Sequence, residues 1–276
     1  MKRLAILVFG VAVYAVFFAT FLYLIAFVGN LQVGLAPWFP QLAGLVPRSI
    51  DLGGAQASTG AAIAIDLALI LAFGLQHSVM ARTGFKAWLK RHLDPSAERS
   101  VYVLLASLVL VLLFWQWRPI PAIAWSFASP AGQALAWGVY GLGFGVVLLS
   151  TFLIDHFDLF GIKQVVRQFF GREAVPARFV TPLLYRFVRH PLYLGFVLAF
   201  WGGAVMSAGH LLFAAAMTAY ILIAIQLEER DLVRQLGDRY VQYRGRVPML
   251  VPGLGGRGRQ GARAPGRELH PDVIDG

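Results

Sequence analysis

The 276-residue chain is 58% hydrophobic and 14% charged, with a mean hydropathy of +0.66. A soluble domain carries roughly 25% charged residues, so this composition excludes a soluble globular protein and predicts an all-α, polytopic membrane helical bundle. The chain has no cysteine, hence no disulfide framework, thiolate metal site or cysteine nucleophile. Its net charge of +10 is spread over loops and tail, which suits anionic lipid headgroups and gives no reason to invoke nucleic acid.

In chain order, Met1-Lys2-Arg3 leads straight into an apolar first span, residues 4–28, which reads as a membrane helix rather than a cleaved signal. Residues 29–60 are rich in Gly, Pro and Ala. Their polar patch is Val46-Pro47-Arg48-Ser49-Ile50-Asp51, and they read as an external loop, open to a re-entrant turn around Pro37-Trp38-Phe39-Pro40. The second span, 61–80, ends in Gln76-His77-Ser78-Val79-Met80-Ala81-Arg82. A basic loop with Arg82, Lys86, Lys90, Arg91 and Arg99 leads to the third span, 100–117. Trp115 and Trp117 at its far end suit an interfacial belt. The fourth span, 132–153, runs into Asp155-His156-Phe157-Asp158-Leu159-Phe160-Gly161. A short amphipathic helix is expected over Ile162 to Phe170, with Lys163 and Arg167 on its polar side.

Two further apolar runs, 191–207 and 211–228, are joined by Ser207-Ala208-Gly209-His210. So short a turn predicts an antiparallel helical hairpin. Its nearly equal arms would bring Arg186, Arg189 and His190 level with Glu228 and Glu229. Beyond it, Glu228 to Arg246 reads as a charged helix ended by Val247-Pro248, and the basic tail 253–276 is expected to be disordered.

Basic residues concentrate before the first span and in every second loop, which predicts six transmembrane helices with both termini in the cytoplasm. That topology gathers His77, Arg82, Arg99, Asp155, His156, Asp158, Arg189, His190, Glu228 and Glu229 at one membrane level, from every span except the first. Ionisable groups at a bilayer are costly and usually functional, so the set implies a polar pocket opening to the cytoplasm. The blander alternative makes Arg189 and His190 ordinary flanking charges, Pro191 a first-turn proline and the two glutamates a solvated helix turn.

Three chemistries suit such a pocket. In the first, Arg189, His190 and the backbone amides at the following helix start bind an anionic group, while Glu228 and Glu229 bind a cation or ribose hydroxyls; a zwitterionic nucleoside such as S-adenosylmethionine fits. In the second, His77, His156 and His190 form a metal or haem site, but none is paired at the spacing of a helical metal motif, so no metal is expected. In the third, the chain is a scaffold or transporter, whose site is expected nearer mid-bilayer.

Arg189-His190-Pro191-Leu192-Tyr193-Leu194-Gly195, then Leu227-Glu228-Glu229-Arg230-Asp231-Leu232, then Gly237-Asp238-Arg239-Tyr240-Val241-Gln242-Tyr243 and Val247-Pro248 resemble the C-terminal signature of integral-membrane methyltransferases, which act on prenylcysteine or phospholipid acceptors. Gln76 to Arg82, Glu98-Arg99-Ser100-Val101-Tyr102, Phe114-Trp115-Gln116-Trp117 and Asp155 to Gly161 resemble the nurim family, most of all its bacterial methanethiol S-methyltransferases. That family often has Asn at the position of Asp155.

The resemblance implies a membrane methyltransferase domain over 1–252 in the bacterial inner membrane. Its cofactor is S-adenosylmethionine, held by Arg189, His190, Pro191, Tyr193, Leu194, Glu228 and Glu229, and its partners are membrane lipid and a small thiol. A neutral His77 or His156 takes the thiol proton, and Arg82, Arg99 or Arg189 stabilises the thiolate. Tyr193 faces the pocket or packs on the last span. The alternatives are a prenylated or lipid acceptor, and a non-catalytic nurim-like protein.

Overall fold

The computed structural model describes residues 1–35, 39–173 and 181–253. Among the described residues, five helices are long and apolar enough to cross a membrane: α1 (Lys2–Val28), α4 (Thr59–Ala81), α6 (Glu98–Gln116), α7 (Pro130–Ile154) and α11 (Ala208–Leu236). Between them lie α2 (Leu31–Leu35), α3 (Pro40–Gly44), α5 (Thr83–His92), α8 (His156–Leu159), α9 (Ile162–Phe169), a 3-10 turn (Leu183–Arg186), α10 (Pro191–Trp201) and α12 (Asp238–Arg246). Strands β1 (Ile123–Ser126) and β2 (Val205–Ser207) pair antiparallel. The protein is therefore a helical, multi-pass membrane protein with one small ribbon. The expected tail, and Pro37-Trp38 of the expected re-entrant turn, lie outside the described residues.

Local chemistry sets the helix starts. Ser58, Ser129 and Ser207 stand at the N-caps of α4, α7 and α11, and each side chain accepts an amide from the first turn. The basic loop folds in part as α5, because Arg82 in an extended conformation both ends α4 and starts the next helix. α9 forms where expected and buries Val165 against Gly10 of α1.

The fifth expected span, 191–207, is corrected by the structure. α10 has only 11 residues, about 16 Å of helix against a hydrocarbon core of about 30 Å. Gly202 and Gly203 stop it. A Cβ on Gly202 would meet the Tyr140 backbone at 2.7 Å, and Gly203 has φ +116°, a conformation open to glycine. The chain then turns into β2, which pairs with β1 in the segment between the third and fourth long helices. The following helix starts at Ala208 and is unbroken through Glu228 and Glu229 to Leu236, where Gly237 at φ +55° ends it.

The hairpin arms are thus of unequal build, yet their ends still meet. Extended residues rise more than twice as far as helical ones, so Val205–Ser207 add about 10 Å to α10, and the hydrogen bonds of Tyr193 to Glu228 and of Arg189 to Glu229 show that the two ends come together. α10 packs mainly on α7. There a Cβ on Gly143 would collide with Ala199 N, and one on Gly195 would lie 2.7 Å from Gly143 O. In lipid, helices gain little by burying apolar area from one another, so close backbone approach at small residues drives association.

The end of the bundle remote from the basic loops is closed by a polar knot. Asn30 Nδ2 donates to Asp51 Oδ2, Ser49 Oγ to Asn30 Oδ1 and Ser207 Oγ to Asp51 Oδ1. Ile50 between them is fully buried. Trp117, expected in an interfacial belt, is instead 1% exposed and donates its Nε1 to Ile50 O at 3.0 Å; Trp115 is exposed as expected. Burying an indole needs a partner for its N–H, and the folded-back 46–51 segment provides it.

Candidate active site

α1, α4, α6, α7, α10 and α11 surround one cavity of about 680 Å³. Its basic end is lined by His77, Arg82, Arg99, His156, Arg189, His190, Tyr193 and Glu228, and its remote end by Leu24, Leu113, Phe200 and Phe213. Of the expected site residues, Pro191, Leu194 and Glu229 are not on its wall. Nor are Asp155 and Asp158, which pair with Lys163 and Arg167 of α9. α1, excluded from the expected convergence, lines the cavity through Phe17, Phe18, Thr20 and Phe21.

The two glutamates separate cleanly. Glu229 is buried; Arg189 Nε donates to its Oε1 at 2.7 Å and His190 Nε2 lies 3.0 Å from the same oxygen. Arg189 Nη1 donates to the carbonyls of Arg244 (3.0 Å) and Val247 (2.6 Å) at the end of α12, and the Arg189 and His190 amides donate to Pro248 O and Met249 O. This knot docks α12 and the chain after it onto the start of α10. Glu228 is half-buried and accepts the Tyr193 hydroxyl at 3.0 Å. Tyr193 therefore faces the cavity.

The two histidines expected to take a proton also differ. Thr151 Oγ1 donates its one hydrogen to Leu148 O at 2.7 Å, so His156 Nδ1, 2.8 Å away, must be the donor to Thr151. His156 Nε2 then accepts from Tyr14 OH at 2.8 Å. Both nitrogens of a neutral ring are committed, and the ring stacks on Phe152 at 4.4 Å. Burial lowers the His156 pKa, against the raising charge of Asp155. Among the described residues His77 has one hydrogen-bond partner, the Tyr102 hydroxyl, 2.8 Å from Nε2 and 3.1 Å from Nδ1. One hydroxyl bonds one nitrogen at a time, which leaves the other for a ligand.

The cations are equally distinct. Arg82 pairs with Asp231 at 2.7 Å. Arg99 donates Nε to Leu159 O at 2.6 Å and lies over the Tyr102 ring at 5.0 Å. No described carboxylate lies within ion-pair reach of Arg99 or Lys86, and both line the cavity. Burial, and then the positive charge of Arg99, lowers the Lys86 pKa. Lys86 and Tyr102 were missed in the sequence. Their signal was helical spacing: Lys86 follows Arg82 by four residues and Tyr102 follows Arg99 by three, so each falls on the face of a residue already singled out. Tyr220, 3.3 Å from Ser78 Oγ, carried no such signal.

Among the described residues no His, Asp and Glu side chains gather in a group that could hold a metal ion. The arrangement presents cations without a described carboxylate partner, a carboxylate with a phenol, and a histidine whose described partner is a single hydroxyl, around an apolar chamber. It can bind a zwitterion at the basic end and accept a proton beside it.

A family model described as phospholipid methyltransferase matches residues 134–239, which hold α10, α11 and the start of α12. No solved structure matches the chain. It is 31% identical over 184 residues to nurim of Sus scrofa, covering 62% of this chain and 68% of that one. It is 51% identical over 257 residues to methanethiol S-methyltransferase 2 of Bradyrhizobium diazoefficiens, covering 93% of each. With methanethiol S-methyltransferase of Mycobacterium tuberculosis it shares 49% identity over 252 residues, 91% of this chain and 98% of the relative. With half its residues shared along nearly the whole length of such relatives, the chain belongs to the methanethiol S-methyltransferase family.

Proposed function

We propose that this protein transfers a methyl group from S-adenosylmethionine to a small thiol, converting methanethiol to dimethyl sulfide, in the bacterial inner membrane with both termini in the cytoplasm. The observation that carries the reading is near-50% identity to methanethiol S-methyltransferases over nine-tenths of the chain. The catalytic unit is residues 1–252. The donor set fits the cofactor chemically: Lys86 and Arg99 have no carboxylate partner among the described residues, and Glu228 accepts the Tyr193 phenol. Lys86 would take its carboxylate, and Glu228 with Tyr193 its ammonium or ribose hydroxyls. When bound, it supplies an electrophilic sulfonium methyl.

The chain's own residues prepare the nucleophile. His77, held by Tyr102 through one nitrogen, accepts the thiol proton on the other. Arg99 lies one helical turn from Tyr102, and its guanidinium stabilises the thiolate that remains. The thiolate electron pair forms the new sulfur–carbon bond while the old one breaks, so the departing sulfide is neutral. The apolar wall from Phe21 to Phe213 keeps competing water from the methyl.

Headspace gas analysis of cells expressing the chain should find dimethyl sulfide after methanethiol is supplied. His77→Ala should lower turnover about a hundredfold or more with nearly unchanged cofactor affinity. Labelled methyl in lipid or prenylated peptide, with no dimethyl sulfide, overturns the thiol reading.

A further inference from the structure

The ring of helices around the cavity is packed at every junction but one. α1 packs on α6, α6 on α4, α4 on α11, α11 on α10 and α10 on α7. α7 and α1 do not pack extensively on each other; they meet through side chains at separated levels. Toward the remote end, Tyr140 OH donates to Ile25 O and Phe21 lies edge-on to Phe144. Toward the basic end, Tyr14 bonds His156 just past the end of α7. Between these levels Phe18 of α1 and Leu148 of α7 both line the cavity, and they are 45% and 44% exposed. Two half-exposed lining side chains on helices that do not pack extensively mark a window. Here the window opens at the depth of the hydrocarbon.

The chamber has to hold the cofactor proposed above at its basic end, and it extends past that end. Its volume of about 680 Å³ lies within the range of cavities that enclose drug-sized ligands. The polar groups sit at one end, and the arm from Ala224 to Phe213 along α11 continues for about 16 Å between apolar walls. We infer that the window between α1 and α7 admits membrane-dissolved alkyl thiols, and that the acceptor range extends beyond methanethiol to chains of several carbons lying in this arm. The inference rests on the thiol methylation proposed above and names the acceptor class and its route.

The full chain in liposomes tests it with methanethiol, butanethiol and hexanethiol. The expected result is a kcat/KM that rises about fourfold per added methylene. Leu148→Trp or Phe18→Trp, which narrows the window, should lower hexanethiol turnover about tenfold and change methanethiol turnover less than twofold. The retained methanethiol rate reports that the variant is folded. A second readout needs no turnover. Because the chain has no cysteine, Leu148→Cys creates a single thiol, and hexyl methyl sulfide should slow its labelling by an apolar maleimide at least threefold, with no effect from dimethyl sulfide. Methanethiol methylated while hexanethiol is not, or both rates falling equally in the tryptophan variants, overturns the inference and leaves the proposed function standing. Failure to methylate any thiol overturns both.

Discussion

At the scale of single residues, the adjacent pair Glu228-Glu229 divides into two tasks. Glu229 compensates Arg189 out of water, and removing one member of a buried ion pair leaves the other charge uncompensated, at about 3–5 kcal/mol. Glu229→Ala should therefore lower the thermal midpoint sharply and release α12, seen as faster proteolysis near Arg244. Glu228→Ala should leave the midpoint nearly unchanged and weaken S-adenosylmethionine binding at least tenfold by calorimetry, about 1.4 kcal/mol. Equal loss of stability in both variants would show that the split is wrong. His156 makes a prediction of its own. Its folded pKa is lowered by burial, so the neutral ring adds stability that is complete above the unfolded value of about 6.5. That stability is lost as pH falls through 6.5 toward the lower folded value, by at most about 1.4 kcal/mol per pH unit. Thermal midpoints in detergent at pH 7.5 and 5.5 should differ less in His156→Gln than in the parent.

At the scale of elements, α10 is held to α7 through backbone contact. Gly143→Val places its Cβ against Ala199 N and Gly195 O, which no rotamer relieves. Overpacking of this kind costs about 1–3 kcal/mol. Because α10 carries Tyr193 and follows His190, cofactor affinity should fall along with stability. Gly138 lies on the same helix, and a methyl added there would have nothing within 4 Å, so Gly138→Ala should be neutral or stabilising by up to about 1 kcal/mol. Thermal unfolding of the two variants side by side checks the contact; similar midpoints would remove it. The same element shows where pattern reading failed. The run Leu192 to Ser207 is apolar throughout, and hydropathy does not register that Gly202 and Gly203 end the helix. An apolar strand and an apolar helix look alike by composition, and only the pairing of β2 with β1 separates them.

At the scale of the whole molecule, the charge asymmetry that predicted the topology is matched by the cavity, whose charged lining lies at one end and apolar lining at the other. Reporter fusions at Arg91 and Arg172 should report the cytoplasm, and fusions near Gly54 and Ser126 the opposite side. A cytoplasmic signal at Ser126 would place the β1–β2 ribbon, and with it the remote polar knot, on the wrong face. The knot itself was half legible. Val46 to Asp51 stood out as a polar patch, but its bonds go to Asn30, Trp117 and Ser207, partners far away in sequence.

The sequence by itself determined the class of the protein, the limits of four long helices to within two residues and the amphipathic α9. It also assigned most of the charged groups to one end of the bundle. These follow from composition and local periodicity, which need no knowledge of neighbours. Tertiary structure alone decided the partners within that charged set: Arg189 bonds Glu229, His156 lies between Thr151 and Tyr14, and His77 meets the Tyr102 hydroxyl. It also decided that α1 lines the cavity and that the ring is loosest between α1 and α7. Hydrogen-bond capacity is spent on whichever groups the fold brings within about 3 Å, and residue type and spacing do not carry that choice.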